Sequence, residues 1–179
     1  MLTKFAFNGY NWYMAIVFLS LGSNIGDRLG YVQQAASILG TTQNIQIVST
    51  SSFYETEPWQ MDSPNWFVNA IVQISTSFSP EELLIVINRI ESQLGRERSG
   101  KREYTDRTID IDILFYDNII MNTENLTIPH RFFHRRACML VPMLEIAQDF
   151  IHPLFKKSIS DLYDELEDPE QVVLYGTRV

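Results

Sequence analysis

In the tract Arg107-Thr108-Ile109-Asp110-Ile111-Asp112-Ile113-Leu114-Phe115, isoleucine alternates with aspartate. Such alternation specifies a β-strand with one dry face and one wet face. Side chains two apart in a strand point the same way. Ile109, Ile111 and Ile113 therefore share a buried face. Asp110 and Asp112 share the other, their stems about 6.5 Å apart at a rise of about 3.3 Å per residue. Two carboxylates so placed suit a hard divalent cation, since magnesium favours one or two carboxylates completed by water and substrate phosphates. Alternation alone also produces an acidic wet face on an ordinary half-exposed strand, so the surrounding residues must decide.

Those surroundings are basic. Arg96, Arg98, Lys101, Arg102 and Arg107 precede the aspartates, and Arg131, Arg135 and Arg136 follow them. Paired acids bracketed by arginines point to a polyphosphate ligand. The loop from Gly95 to Arg107 carries Gly100 as well as its cations, and reads as a flexible lid that closes arginines over a phosphate chain.

The formal net charge is −8, from 14 basic and 22 acidic side chains. This disfavours generic nucleic-acid binding. Asp161, Asp164, Glu165, Glu167, Asp168 and Glu170 crowd into the C-terminal stretch, so much of the acidity belongs to an expected tail over 158–179. A ferredoxin-like RNA-binding module would need a basic, aromatic sheet face; aspartates there repel a phosphate backbone. The single cysteine, Cys138, rules out an internal disulfide and cysteine-based zinc. No apolar run reaches the roughly 20 residues of a membrane span. The expectation is a cytoplasmic protein without a membrane partner, and a monomer.

A chain of 179 residues with 45% hydrophobic content suits a single domain with one good core. Residues 1–13 show no pattern and read as an N-terminal extension, with Met14 an alternative start; the domain is expected over 14–157. Met14 to Leu21 is a strand of buried type stopped by Gly22. Residues 27–39 follow as a helix, with Asn24 or Asp27 as cap and Gly40 as terminator. Strands are expected around Ile45–Val48 leading to Phe53-Tyr54, and over Phe67–Ile74. Ser79, Pro80 and Glu82 form a capping box opening a second helix, whose apolar face is Leu83, Leu84, Ile87, Ile90 and Leu94 and whose stop is Gly95. The order is βαββαβ: an α+β, ferredoxin-like antiparallel sheet with both helices on one face and the other face free for a ligand, plus C-terminal additions. Within those additions, residues 137–147 suit a short helix whose course Pro142 makes ambiguous.

The chain resembles the 6-hydroxymethyl-7,8-dihydropterin pyrophosphokinases of folate biosynthesis over about residues 14–155. The resemblance is carried by ordered blocks: Leu19-Ser20-Leu21-Gly22-Ser23-Asn24, then Ser52-Phe53-Tyr54-Glu55-Thr56-Glu57-Pro58-Trp59, Phe67-Val68-Asn69-Ala70, Arg89-Ile90-Glu91 with Gly95-Arg96, the strand from Arg107 to Ile113, and Leu126-Thr127-Ile128-Pro129-His130. It implies transfer of a diphosphate from ATP to the pterin hydroxymethyl group with release of AMP, and two Mg²⁺ ions held by Asp110 and Asp112. It also implies Arg96 and Arg107 as phosphate clamps, and Arg98, Tyr104, Ile113, His130 and Arg136 as nucleotide-side residues. Thr56, Pro58, Trp59, Phe67, Asn69 and Glu91 fall on the pterin side. Asn69 offers the donor and acceptor edges that a pterin ring requires. Taken on its own, Glu91 has a salt bridge to a loop arginine as its alternative reading.

Three departures stand out. Cys138 occupies the place expected for the second aromatic of a pterin sandwich, with Phe132 or Phe133 as substitutes. Tyr104-Thr105-Asp106-Arg107 replaces the usual Trp-Gly-Pro-Arg in a loop one residue longer. Gln60 replaces a common glycine.

Overall fold

A computed structural model of the chain describes residues 4–7, 10–97, 105–167 and 169–177, with side chains from residue 14 onward. In chain order the elements are β1 (Lys4–Phe7), β2 (Tyr10–Tyr13), β3 (Ala15–Ser23), α1 (Arg28–Thr41), β4 (Ile45–Thr50), β5 (Phe53–Thr56), β6 (Phe67–Thr76) and α2 (Pro80–Gln93). They continue as β7 (Asp110–Tyr116), β8 (Met121–Asn122), β9 (Thr127–Ile128), a 3-10 turn (Phe133–Arg135), α3 (Ala137–Ala147), α4 (Ile159–Asp164) and β10 (Val172–Gly176).

The main sheet is antiparallel throughout, in the order β10-β5-β6-β3-β7, with β4 also pairing with β6. The two expected helix signals set α1 and α2. Asp27 is the cap that accepts from the Gly30 N–H at 3.1 Å. Ser79 and Glu82 satisfy each other's backbone donors as a capping box. Alternation along the strands then divides the core. Val17, Leu19 and Leu21, Ala70, Val72 and Ile74, and Ile109, Ile111 and Ile113 pack with Val32, Ala35 and Leu39 of α1 and Leu83, Ile87 and Ile90 of α2.

The opposite sheet face is not left free, as the sequence led us to expect. Phe18, Ile71, Leu114 and Phe115 on that face form a second core with Met139, Leu140 and Met143 of α3 and Ile159 and Leu162 of α4. α3 passes through Pro142 unbroken. Ser20, Gly22, Asn69, Asp110 and Asp112 lie at the other end of the same face, bordered there by Cys138 and Met139 of α3.

Both chain ends differ from expectation. Lys4–Phe7 pairs antiparallel with Tyr10–Tyr13. A signal for this pairing was present in the Asn8-Gly9 dipeptide between two alternating runs, the strongest short-range hairpin signature. The expected acidic tail over 158–179 contains two regular elements. α4 is buried in the second core, and β10 extends the sheet by pairing with β5. No helix among the described residues is long and apolar enough to cross a membrane.

Candidate active site

Strand register assembles the site as one lateral strip across three strands. Asp112 lies opposite Ser20, and Asp110 opposite Gly22. Gly22 in turn faces Asn69 on β6. β3 runs through Gly22 instead of stopping there, paired on both sides, and a Cβ at that position would sit 2.5 Å from Asn69 Oδ1. Glycine thus lets the Asn69 amide lie across the strand. Asn69 Nδ2 donates to Thr56 Oγ1 at 2.7 Å, orienting the amide at one end of the strip while the carboxylates occupy the other.

At the acidic end, Arg96 forms ion pairs with both Glu91 and Asp110, and Arg107 Nε lies 3.4 Å from Asp110 Oδ2. Glu91 is 1% exposed. Its carboxylate also accepts the Ile111 N–H at 2.8 Å, so a charge near a helix C-terminus is offset by an arginine and a backbone donor. Burial raises the Asp110 pKa, but Arg107 and Arg96 together bring it below the usual carboxylate range. Asp112 goes the other way: burial and then the Asp110 charge raise it. Charge is thus favoured on Asp110 and disfavoured on Asp112.

A cleft of about 360 Å³ opens from the aspartates past Ile113, Leu126, Thr127, His130, Phe132 and Arg136. Burial, then Arg136, lowers the His130 pKa to about 4, so the imidazole is neutral at pH 7. Two buried polar atoms in this cleft, His130 Nδ1 and Arg136 Nε, have no hydrogen-bond partner among the described residues. Oxygen-rich anions match such groups. No cluster of three or more His, Cys, Asp or Glu side chains able to hold a metal occurs among the described residues. A cation here would have two carboxylates and complete its shell from substrate and water, the arrangement magnesium prefers. Arg98 and Tyr104 lie outside the described residues.

At the end of the strip expected to take the pterin, Phe67, Asn69, Cys138 and Met139 enclose a narrow space of about 10 Å³. Phe133 is fully buried against Phe115, with ring centroids 4.7 Å apart; it is not available to stack on a ligand. Phe132 is the remaining aromatic, lying 5.4 Å from Trp59 at the cleft mouth. Arg136 sits 5.2 Å from the centre of the Trp59 ring, so the structure joins a residue expected on the pterin side to one expected on the nucleotide side. Thr56 is buried and Pro58 half-buried in the segment leading to Trp59.

Sequence reasoning did not single out Asp106. Its carboxylate accepts from Asn24 Nδ2, Ser63 Oγ and Asn65 Nδ2, each at 2.6 Å. The departure from proline at this position was the available signal.

Residues 18–148 match the family described as 7,8-dihydro-6-hydroxymethylpterin-pyrophosphokinase (HPPK). The chain is 43% identical over 138 residues to the 2-amino-4-hydroxy-6-hydroxymethyldihydropteridine pyrophosphokinase of Methylorubrum extorquens, covering 77% of this chain and 86% of that one. With the enzyme of the same name from Haemophilus influenzae it shares 37% identity over 162 residues, covering 90% and 99%. Among solved structures, wild-type Plasmodium falciparum HPPK-DHPS with pteroate superimposes with a TM-score of 0.67 at 20% identity. That match covers 85% of this chain and 42% of the longer one, so the chain spans less than half of it, and the likeness is one of fold. The family match and the similarity over most of the chain agree with the strip of aspartates and asparagine on one sheet face: this chain belongs to the 7,8-dihydro-6-hydroxymethylpterin-pyrophosphokinase family.

Proposed function

We propose that this protein transfers a diphosphate from ATP to 6-hydroxymethyl-7,8-dihydropterin in folate biosynthesis, using Mg²⁺, and works as a cytoplasmic monomer on a ferredoxin-like βαββαβ core. The all-antiparallel order β4-β6-β3-β7, with α1 and α2 on one face, supports the last point. The observation that carries the functional reading is the strip itself. Asn69, Gly22 and Asp110 are register neighbours, so a pterin held at the amide presents its hydroxymethyl group toward the carboxylates.

In the reaction, the hydroxymethyl oxygen forms a bond to the β-phosphorus and gives up its proton. The bond between the β-phosphorus and the oxygen bridging to the α-phosphorus breaks, and AMP leaves. Asp110 and Asp112 would hold the magnesium ions, which when bound neutralise triphosphate charge and polarise the phosphorus. Arg96 and Arg107 meet the phosphate oxygens where charge develops. Neutral His130 offers one ring N–H, and Arg136 its Nε–H, along the phosphate path. Ile113 and Thr127 line the nucleotide side. Phe67 and Phe132 supply aromatic surface, and Thr56, Pro58, Trp59, Asn69 and Glu91 shape and steady the pterin side.

The test is AMP release from ATP and 6-hydroxymethyl-7,8-dihydropterin, with Mg²⁺ and with the ion removed by EDTA. Turnover that depends on both the pterin and Mg²⁺ is expected. A well-folded protein giving no AMP would overturn the proposal.

A further inference from the structure

Asp106 joins two loops that carry residues for different substrates. Its Oδ1 accepts from both Asn24 Nδ2 and Ser63 Oγ, and its Oδ2 from Asn65 Nδ2. Ser63 Oγ in turn accepts the Asn65 N–H at 3.1 Å. Ser63 and Asn65 belong to the segment 57–66 that carries Pro58 and Trp59, whereas Asp106 directly precedes Arg107. Asn24, 2% exposed, completes the link. Its Oδ1 accepts the Arg107 N–H at 2.8 Å, and its own N–H donates to the Arg107 carbonyl at 3.2 Å. The far end of the segment is also held, by Arg28 donating to the Trp66 carbonyl at 2.6 Å.

We propose that Asp106 is a positioning residue for Arg107, acting as a latch through which order in the pterin-side segment 57–66 sets the phosphate-clamping arginine. A proline at this position could not accept these bonds. The carboxylate can because it is acceptor-only, and every group aimed at it is a donor. Charge-assisted bonds of this length are stronger and more directional than neutral ones. The proposal rests on the diphosphotransfer reading for its kinetic consequence but not for its structural one.

Asp106→Asn is nearly isosteric, yet it replaces one acceptor oxygen with an NH₂ that must face a donor. Amide hydrogen exchange in the ligand-free protein should be at least tenfold faster at Arg107 and Asn65 in this variant. Exchange in the β3 and β6 amides remote from the latch should be unchanged. Unchanged exchange at Arg107 and Asn65 would overturn the latch whether or not the protein turns over. Kinetically, Asp106→Ala should lower kcat about tenfold while the Kd for Mg·ATP without pterin stays within twofold. Asn65→Ala should do the same, and the double variant should be no worse than either single one, because both break one unit. Ser63→Ala gives a third entry point should an Asp106 variant fold poorly. Additive losses, or wild-type kcat in the Asp106 and Ser63 variants, would overturn the proposal.

Discussion

The guanidinium carbon of Arg107 lies 5.3 Å from the centre of the Phe67 ring, so an arginine assigned to phosphate covers an aromatic assigned to the pterin. A pterin that stacks on Phe67 must displace this contact, which is worth about 0.5–2 kcal/mol. Arg107 already meets Asp110 at 3.4 Å, so loss of the ring contact frees the guanidinium for the phosphate cleft that it lines.

Arg107→Ala should therefore lower kcat by about 10²–10³, the scale of losing one donor aimed at developing charge. Pterin binding without nucleotide should be unchanged or tighter by a few fold. Steady-state kinetics and a dihydropterin fluorescence titration measure both. Weaker pterin binding would show that the arginine holds the ring and does not cover it.

The two aspartates should separate by stability. Asp110 carries the ion pairs to Arg96 and Arg107, so Asp110→Asn leaves two guanidinium groups under-compensated and should lower Tm. Asp112 adds like charge beside Asp110, and Asp112→Asn should leave Tm unchanged or raise it. Both variants should lose turnover. Equal Tm losses would refute the asymmetry of charge.

Glu91→Ala removes the buried partner of Arg96 and the acceptor of the Ile111 N–H. Breaking a buried pair in this way costs about 3–5 kcal/mol. Urea denaturation should show a loss of that size, with Glu91→Gln milder because an amide oxygen still accepts from Ile111. A loss below about 1 kcal/mol would mean that the carboxylate contributes little to the fold.

His152 is 2% exposed, among Phe115, Phe133 and Phe155. Burial, then His134, lowers its pKa to about 4. The unfolded chain, with an ordinary value near 6.5, binds the proton first as pH falls. The neutral-ring contribution is thus whole above about pH 6.5, declines as pH drops and is lost by about pH 4. A Tm series from pH 7.5 to 4 should fall less steeply for His152→Gln than for the parent. Parallel curves would show that this ring is not the group responsible.

Much of the site was legible in advance because its logic is local. The alternation around Asp110 and Asp112 needed only the two-residue period of a strand, and Ser79, Pro80 and Glu82 needed only the geometry of a helix start. Glu91 was half legible. Its position on an apolar helix stripe marked it as unusual, but its partners lie on the following loop and on β7. The Asn8-Gly9 dipeptide is a local signal for the pairing of Lys4–Phe7 with Tyr10–Tyr13.

By itself the amino-acid order determined the strand and helix periods, the acidic strip with its flanking arginines, and the family to which these blocks belong. Tertiary structure alone decided that α3 and α4 pack on the second sheet face, that β10 closes onto β5, and that Phe133 turns inward while Phe132 lines the cleft. It also decided that Arg107 rests on Phe67 and that Asp106 meets Asn24, Ser63 and Asn65. The reason is physical: the Asp106 bonds alone join residues 41 to 82 positions apart. Such pairings follow from sheet register and core packing, which no local pattern encodes.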